Sequence, residues 1–303
     1  MRAMIAALFP IFSLIIIGAL FRRYGFPGDV FWPAASRITY FAFFPALLLR
    51  ELATANFTGS DVLLMSAALI IALLLLTVLL IAARRWLQLS NGAFTSVFQG
   101  SIRPNTYVGL SAAAALFGAE GSSLAAVAVA AMVPLVNLVC VVTLTRYPGE
   151  SGRNGQGLLI SVITNPLIIA CLLGIALNVT GIGLPLGTGQ LVDIFSRAAL
   201  PLGLLTVGAG LELSAARASG YPVALASVIK LGAFPLLTAG IGALLGVDGT
   251  ARAVAILFAA VPCAPAAYAL AQQLGGDSRL MASILTVQTI LAAVTLTIWL
   301  GAM

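Results

Sequence analysis

Arg103, Pro104 and Asn105 stand side by side near the middle of an apolar run that extends from about residue 91 to residue 117. Proline removes a backbone donor and disfavours helix at the residue before it. An arginine at membrane depth costs about 2.5–3.5 kcal/mol on insertion scales, so this stretch does not read as a plain helix facing lipid. A second interruption, Val261-Pro262-Cys263-Ala264-Pro265, falls near the middle of the run at about 251–274. Irregular backbone at that depth is tolerated where it is buried in protein or lines a wet cavity. Each break ends one half-helix and begins another, the new N-termini falling at about Asn105 and Ala266. Free N–H groups and the positive dipole end make such termini anion sites, and the freed carbonyls of the first halves could hold a cation. Arg103 adds positive charge. The chemistry expected is capture of a small organic anion at the membrane midplane by Arg103, Pro104, Asn105, Thr106, Tyr107, Pro262, Cys263, Ala264, Pro265 and Ala266. The competing interpretation is that the prolines only kink packed helices.

Other polar residues inside apolar runs are compatible with two roles each. Lys230, the chain's single lysine, sits about ten residues into an apolar run. It could neutralise a bound carboxylate, or it could snorkel or pair structurally. Asn165-Pro166 reads as a helix start with proline in the first turn, and Asp193 with Arg197 as an i,i+4 pair. Gln99, Thr286 and Gln288 are polar groups for a pore face or for helix–helix hydrogen bonds. Histidine is absent from the chain, which removes His-based metal sites, triads and proton relays. No phosphate-binding glycine loop is present, and Asp29, Asp61, Asp248 and Asp277 all read as loop residues. Ser227 and Lys230, three apart, are the sole candidate catalytic dyad, so an enzyme is disfavoured.

The elements that must position these residues are membrane spans. Of 303 residues 61% are hydrophobic and 8% charged, with mean hydropathy +1.12, whereas a soluble domain carries about 25% charged residues. The net charge of +6 could suggest nucleic acid, but no basic run exceeds Arg22-Arg23 or Arg84-Arg85. The three cysteines, Cys140, Cys171 and Cys263, lie in apolar stretches and suggest no disulfide framework. At about 20 apolar residues per span, ten spans are expected, at about 3–21, 33–50, 62–83, 91–117, 121–145, 158–178, 187–211, 220–245, 251–274 and 279–301. The first is read as a retained span because no small-residue cleavage site follows it.

The two halves repeat. Pro10, Gly18, Gly25 and Pro45 recur as Pro166, Gly174, Gly181 and Pro201, each 156 residues on, and Pro104–Tyr107 echo Pro265–Tyr268. Five spans per unit is odd, so the second unit, 151–303, enters the membrane inverted relative to the first, 1–150. Inverted repeats meeting at the midplane are a transporter architecture. Loops after the odd-numbered spans carry Arg22, Arg23, Arg84, Arg85, Arg146, Arg153, Arg217 and Arg279, against Arg2, Arg50 and Arg252 opposite. The arginine-rich side is therefore expected in the cytoplasm and both termini outside.

Several stretches resemble the auxin efflux carrier family in its bacterial branch. They are Pro10-Ile-Phe-Ser-Leu with Gly18-Ala-Leu-Phe-Arg-Arg, Phe44-Pro45-Ala-Leu-Leu, Arg103-Pro-Asn-Thr-Tyr-Val-Gly, Asn165-Pro-Leu-Ile, and Pro262-Cys-Ala-Pro-Ala-Ala-Tyr268 followed by Gly275-Gly-Asp. The resemblance covers about 5–300. It implies an all-α membrane protein whose fourth and ninth spans are broken and cross, and a homodimer. It further implies a scaffold of 1–55 and 158–213 beside a transport domain of 60–146 and 220–303 that moves as an elevator. Bile-acid sodium symporters are similar in architecture. Pro104 and Asn105 match the crossover Pro-Asn of plant auxin carriers, where the Asn touches the substrate carboxylate, and Pro262 matches their second crossover proline. Two departures stand out: the Arg146–Gly157 connection is short, and Arg103 precedes the proline, as in bacterial members described as malate or malonate carriers. The expected protein is an inner-membrane secondary transporter of carboxylates or auxin-like acids. It is expected to need no cofactor, with Na⁺ or H⁺ coupling open, lipid and substrate as partners, and no nucleic acid. A channel or uniporter and a non-transporting receptor of the same fold are the alternatives.

Overall fold

The computed structural model describes residues 2–55, 60–149, 165–184, 187–212, 214 and 220–302. Arg153, Arg217 and the expected start of the sixth span at 158 lie outside the described residues. Among those described the chain is all-helical. Helix α1 is Arg2–Arg23; α2, Phe31–Ile38, runs through a π turn at Thr39–Phe43 into α3, Phe44–Ala53. Then come α4 (Ser60–Ala83), α5 (Asn91–Ile102), α6 (Thr106–Arg146), α7 (Pro166–Val179) and α8 (Thr188–Ala209). Helix α9, Tyr221–Val228, passes through a second π turn at Ile229–Ala233 into α10, Phe234–Leu245, followed by α11 (Gly249–Ala260), α12 (Ala266–Leu274) and α13 (Ser278–Gly301). Among the described residues six stretches are long and apolar enough to cross a membrane: Ala6–Arg23, Asp61–Ala83, Thr106–Arg146, Thr188–Ala209, Tyr221–Leu245 and Ser278–Gly301. Pro166–Val179 and Gly249–Ala260 are shorter apolar helices.

The irregularities have local causes. Both π turns lead directly into Phe-Pro, at Phe44-Pro45 and Phe234-Pro235. A proline lacks the N–H and crowds the carbonyl four residues back, and widening that turn relieves the clash. At the second turn the carbonyl four residues before the proline is retaken: Trp299 Nε1 donates to Leu231 O at 2.8 Å. Helix α6 spans 41 residues, roughly twice the hydrocarbon thickness at 1.5 Å per residue, so it has to turn. It does so at Gly118, where φ is 60° and ψ −139°, values that favour glycine. The turn is sharp, because a Cβ added to Gly121 would lie 2.3 Å from Ala113 O, eight residues earlier.

The helices sort into two packed groups. In one, α1 lies along α8, and α3 packs on both α7 and α8. Glycines set this closeness: a Cβ on Gly208 would meet Ile15 O at 1.8 Å, and one on Gly18 would meet Leu205 O at 2.1 Å. Arg50 of α3 and Arg197 bind the two oxygens of Asp193 on α8, at 3.1 and 2.6 Å, and Arg50 also meets Glu51, so the expected i,i+4 pair is part of a four-residue cluster. The other group joins α4, α5, α6, α10, α11 and α13. Among the contacts between the groups, Tyr107 packs at a tilt against Phe44, ring centres 4.7 Å apart, and lies over Gly203, whose added Cβ would sit 2.5 Å from the tyrosine ring.

Candidate functional site

Both proline interruptions end one helix and start another. Helix α5 stops at Ile102, Arg103 and Asn105 take extended conformations, and α6 starts at Thr106. Helix α11 stops at Ala260, Val261 is extended, and α12 starts at Ala266. The two irregular segments lie against each other as an antiparallel bridge between Pro104 and Cys263, with Asn105 N–H donating to Pro262 O at 2.8 Å. Crossing segments of this kind let two helix breaks satisfy one another's backbone groups.

Gln288 of α13 completes the crossing. Its Oε1 accepts from Cys263 N–H at 2.9 Å, and its Nε2 donates to Gly100 O at 3.0 Å. The side chain is fully buried. One amide therefore serves both breaks, which answers the two readings of this glutamine in favour of helix–helix hydrogen bonding.

Asn105 is fully buried and caps α6, its Oδ1 accepting from Val108 N–H at 3.3 Å. Its Nδ2 has no partner. The N–H groups of Thr106 and Tyr107 lie ahead of the helix's own hydrogen-bond ladder. Arg103 donates through Nη2 to Asn137 Oδ1, while its buried Nη1 has no partner. A buried donor left unpaired costs about 1–3 kcal/mol, more when charged, and these donors border a cavity of about 530 Å³. At the second break the donors are more nearly spent, since Ala267 N–H binds Ala264 O and Tyr268 N–H binds Pro265 O, both at 3.0 Å.

The cavity brings together Arg103, Pro104, Asn105, Thr106, Tyr107, Ala264, Pro265 and Ala266 of the expected residues. Pro262 and Cys263 do not line it; Cys263 is buried in the crossing, its Sγ 3.7 Å from Gln99 O. Lys230 does not line it either: fully buried, it donates from Nζ to Ala259 O at 2.8 Å. Asn165 caps α7 through Leu167 N–H at 2.9 Å, as a helix start should, and also lines the cavity. Much of the remaining wall carried no site reading in the sequence, Arg37, Tyr40, Phe41, Val136 and Asn137 among it, and Phe44 entered only through the Phe44-Pro45 motif. Asn137, an amide deep in an apolar run opposite an unpaired arginine, was the one signal available. Among the described residues no group of three or more His, Cys, Asp or Glu could hold a metal ion.

The arrangement offers one guanidinium donor, one amide donor and a half-helix N-terminus to a carboxylate-sized anion, with tyrosine and phenylalanine rings opposite. The chain is similar to a protein of Methanothermobacter thermautotrophicus described as an uncharacterized transporter, 27% identical over 289 residues and covering 94% of each chain. Residues 3–300 match the family described as membrane transport protein, the auxin efflux carrier family that the proline motifs resemble. With nearly its whole length matched and a set of apolar helices to span the bilayer, the chain belongs to that family and is a multi-pass membrane transport protein.

Proposed function

We propose that this protein is a secondary transporter of small organic anions, carboxylates above all, working by alternating access. The observation that carries the proposal is the pair of unpartnered donors, Asn105 Nδ2 and Arg103 Nη1, at a cavity beside the N-terminus of α6. A carboxylate has two oxygens and accepts charge-assisted bonds from both. The aromatic wall of Tyr40, Phe41 and Phe44 suits an acid with an apolar body.

The architecture proposed is ten spans in two inverted repeats, 1–150 and 151–303, counting the broken pairs α5 with α6 up to Gly118, and α11 with α12, as one span each. The packing of α1, α3, α7 and α8 into one group and the crossing helices into another supports a scaffold, 1–55 and 158–213, beside a moving domain, 60–146 and 220–303. The cavity lies between them, drawing Tyr40 and Phe44 from one and Asn105 from the other. Its lining reaches Pro33 and Gln273, close in sequence to the helix ends bearing Arg22, Arg23 and Arg279, which supports a conformation open to the arginine-rich side, the side the positive-inside rule assigns to the cytoplasm. Both termini then lie outside, and a homodimer in the inner membrane is the proposed assembly. A continuous channel is disfavoured by the crossing, where Gln99, Asn105, Cys263 and Gln288 are all fully buried.

The test is uptake of labelled mono- and dicarboxylates by proteoliposomes. Saturable flux with counterflow is expected, whereas unsaturable flux would make the protein a channel and binding without flux a receptor. Asn105→Asp keeps the capping oxygen of α6 but replaces the free donor with a negative charge. Loss of about ten- to a hundredfold in uptake is expected from the removed charge-assisted bond; wild-type uptake would remove Asn105 from the site.

A further inference from the structure

The cavity holds a charge that the seat at the crossing does not use. Two guanidinium residues line it, Arg103 in the break between α5 and α6 and Arg37 on α2. Among the described residues no Asp or Glu lines it. The ion pairs found among those residues take up Arg22, Arg50 and Arg197 and leave Arg37 out. Arg37 also falls inside the span expected at 33–50 rather than in a loop. An arginine within a span is costly, and it characteristically faces a water-filled cavity or a partner.

The helix that carries Arg37 points it at the substrate. Pro33, Arg37, Tyr40 and Phe44 recur every three or four residues, which puts them on one helical face, and all four line the cavity. Phe44 marks the level of the crossing, since its ring packs against Tyr107. Arg37 lies seven residues earlier, about 10 Å along the helix at 1.5 Å per residue. Helix α12 makes a matching climb along another wall, from Ala266 at the crossing to Gln273. Under the topology proposed above, both helices leave the crossing on the same side. The cavity is then polar at the crossing and polar again at Arg37 and Gln273, with Phe41 and Leu270 between.

We propose that Arg37 is a second anion-binding residue and that the preferred substrate is a dicarboxylate, one end seated at Asn105 and Arg103 and the other on Arg37. The inference rests on the carboxylate seat proposed above and adds a second charge to it. A monoacid neutralises one guanidinium and leaves an apolar tail beside the other. A diacid neutralises both, lays its carbon chain along the apolar middle, and gives Arg37 a planar partner for paired N–H donation.

The experiment measures binding to the purified full chain by titration calorimetry. Succinate, glutarate and adipate are set against butyrate, valerate and hexanoate, which match them carbon for carbon and lack the second carboxylate. In the wild type the best-bound diacid is expected to bind about tenfold more tightly than its matched monoacid, the gain from one further charge-assisted contact. Arg37→Gln keeps a long polar side chain without the charge. It is expected to bind that monoacid within about twofold of wild type and to lose the preference for the diacid.

A wild type that binds no diacid more tightly than its matched monoacid overturns the proposal. So does a preference that survives Arg37→Gln, or a loss in that variant that strikes both acids alike. Arg37 is exposed, so the variant is expected to fold. If it does not, Arg37→Met decides by the same outcomes, and failure of both to fold makes Arg37 structural and ends the proposal. If only monoacids bind, the seat at the crossing stands and this inference alone falls. If no acid binds, both fall.

Discussion

Asn105 divides its side chain, Oδ1 capping α6 and Nδ2 buried without a partner in a residue that lines the cavity. Arg103 is divided in the same way, one nitrogen held by Asn137 and the other buried without a partner. Asn137 is thus a positioning residue, and its removal should act through the arginine. Asn137→Leu is expected to raise KM for a carboxylate several-fold with kcat little changed, checked by saturation kinetics in proteoliposomes; a fall in kcat at unchanged KM would place Asn137 elsewhere in the cycle. At this scale the prolines made the site legible, because Pro104, Pro262 and Pro265 impose breaks by their covalent structure alone. Tyr40 and Asn137 were illegible. A polar or aromatic side chain within an apolar helix fits helix pairing as well as a cavity, and only packing decides between them. Lys230 shows the same limit: its place inside an apolar run was readable, its full burial and its partner Ala259 O were not.

Elements were more legible than their joints. Hydropathy located the apolar runs, and the turn residues marked their ends, down to Asp277 capping α13 through Leu280 N–H at 2.9 Å. The π turns escaped, since Phe-Pro within a helix announces a disturbance without saying whether the chain kinks or widens. The antiparallel crossing itself joins residues about 160 apart, a distance over which sequence pattern carries no register. Gln288 is the tie between α5 and α11, and Gln288→Leu would leave Cys263 N–H and Gly100 O without their partner. A loss of about 1–3 kcal/mol for each orphaned group is expected, read as a lower unfolding temperature in detergent. The α1–α8 contact makes a second prediction. Gly208→Ala drives a methyl into the backbone at Ile15, and such overpacking costs about 1–3 kcal/mol. Gly240→Ala, with nothing within 4 Å of the added carbon, is expected to unfold no earlier than wild type in the same assay.

Across the whole molecule the two packed groups meet along several helices, α1, α3, α7 and α8 against α6 and α1 against α13, and within that contact the Tyr107 ring is seated over Gly203 and against Phe44. Relative sliding of the groups has to lift that ring from its place. Gly203→Ala pushes a methyl into the ring position and is expected to slow turnover while leaving carboxylate affinity within about twofold of wild type; equal losses in both would instead tie Gly203 to binding. The repeat visible in the sequence, at 156 residues, anticipates two halves, but the division by packing cuts across it, taking helices from each half into each group. Gln288 gives that division a mechanical meaning. Because a single amide is bonded to both broken segments, they cannot separate without stranding two buried groups at once. Under the proposed function the crossing would behave as a fixed jaw, and the carboxylate seat at Asn105 would be carried whole rather than dismantled and rebuilt. The opposing jaw, made by Tyr40, Phe41 and Phe44, would then be the face that changes, and its outline would set which acids fit on each side of the membrane.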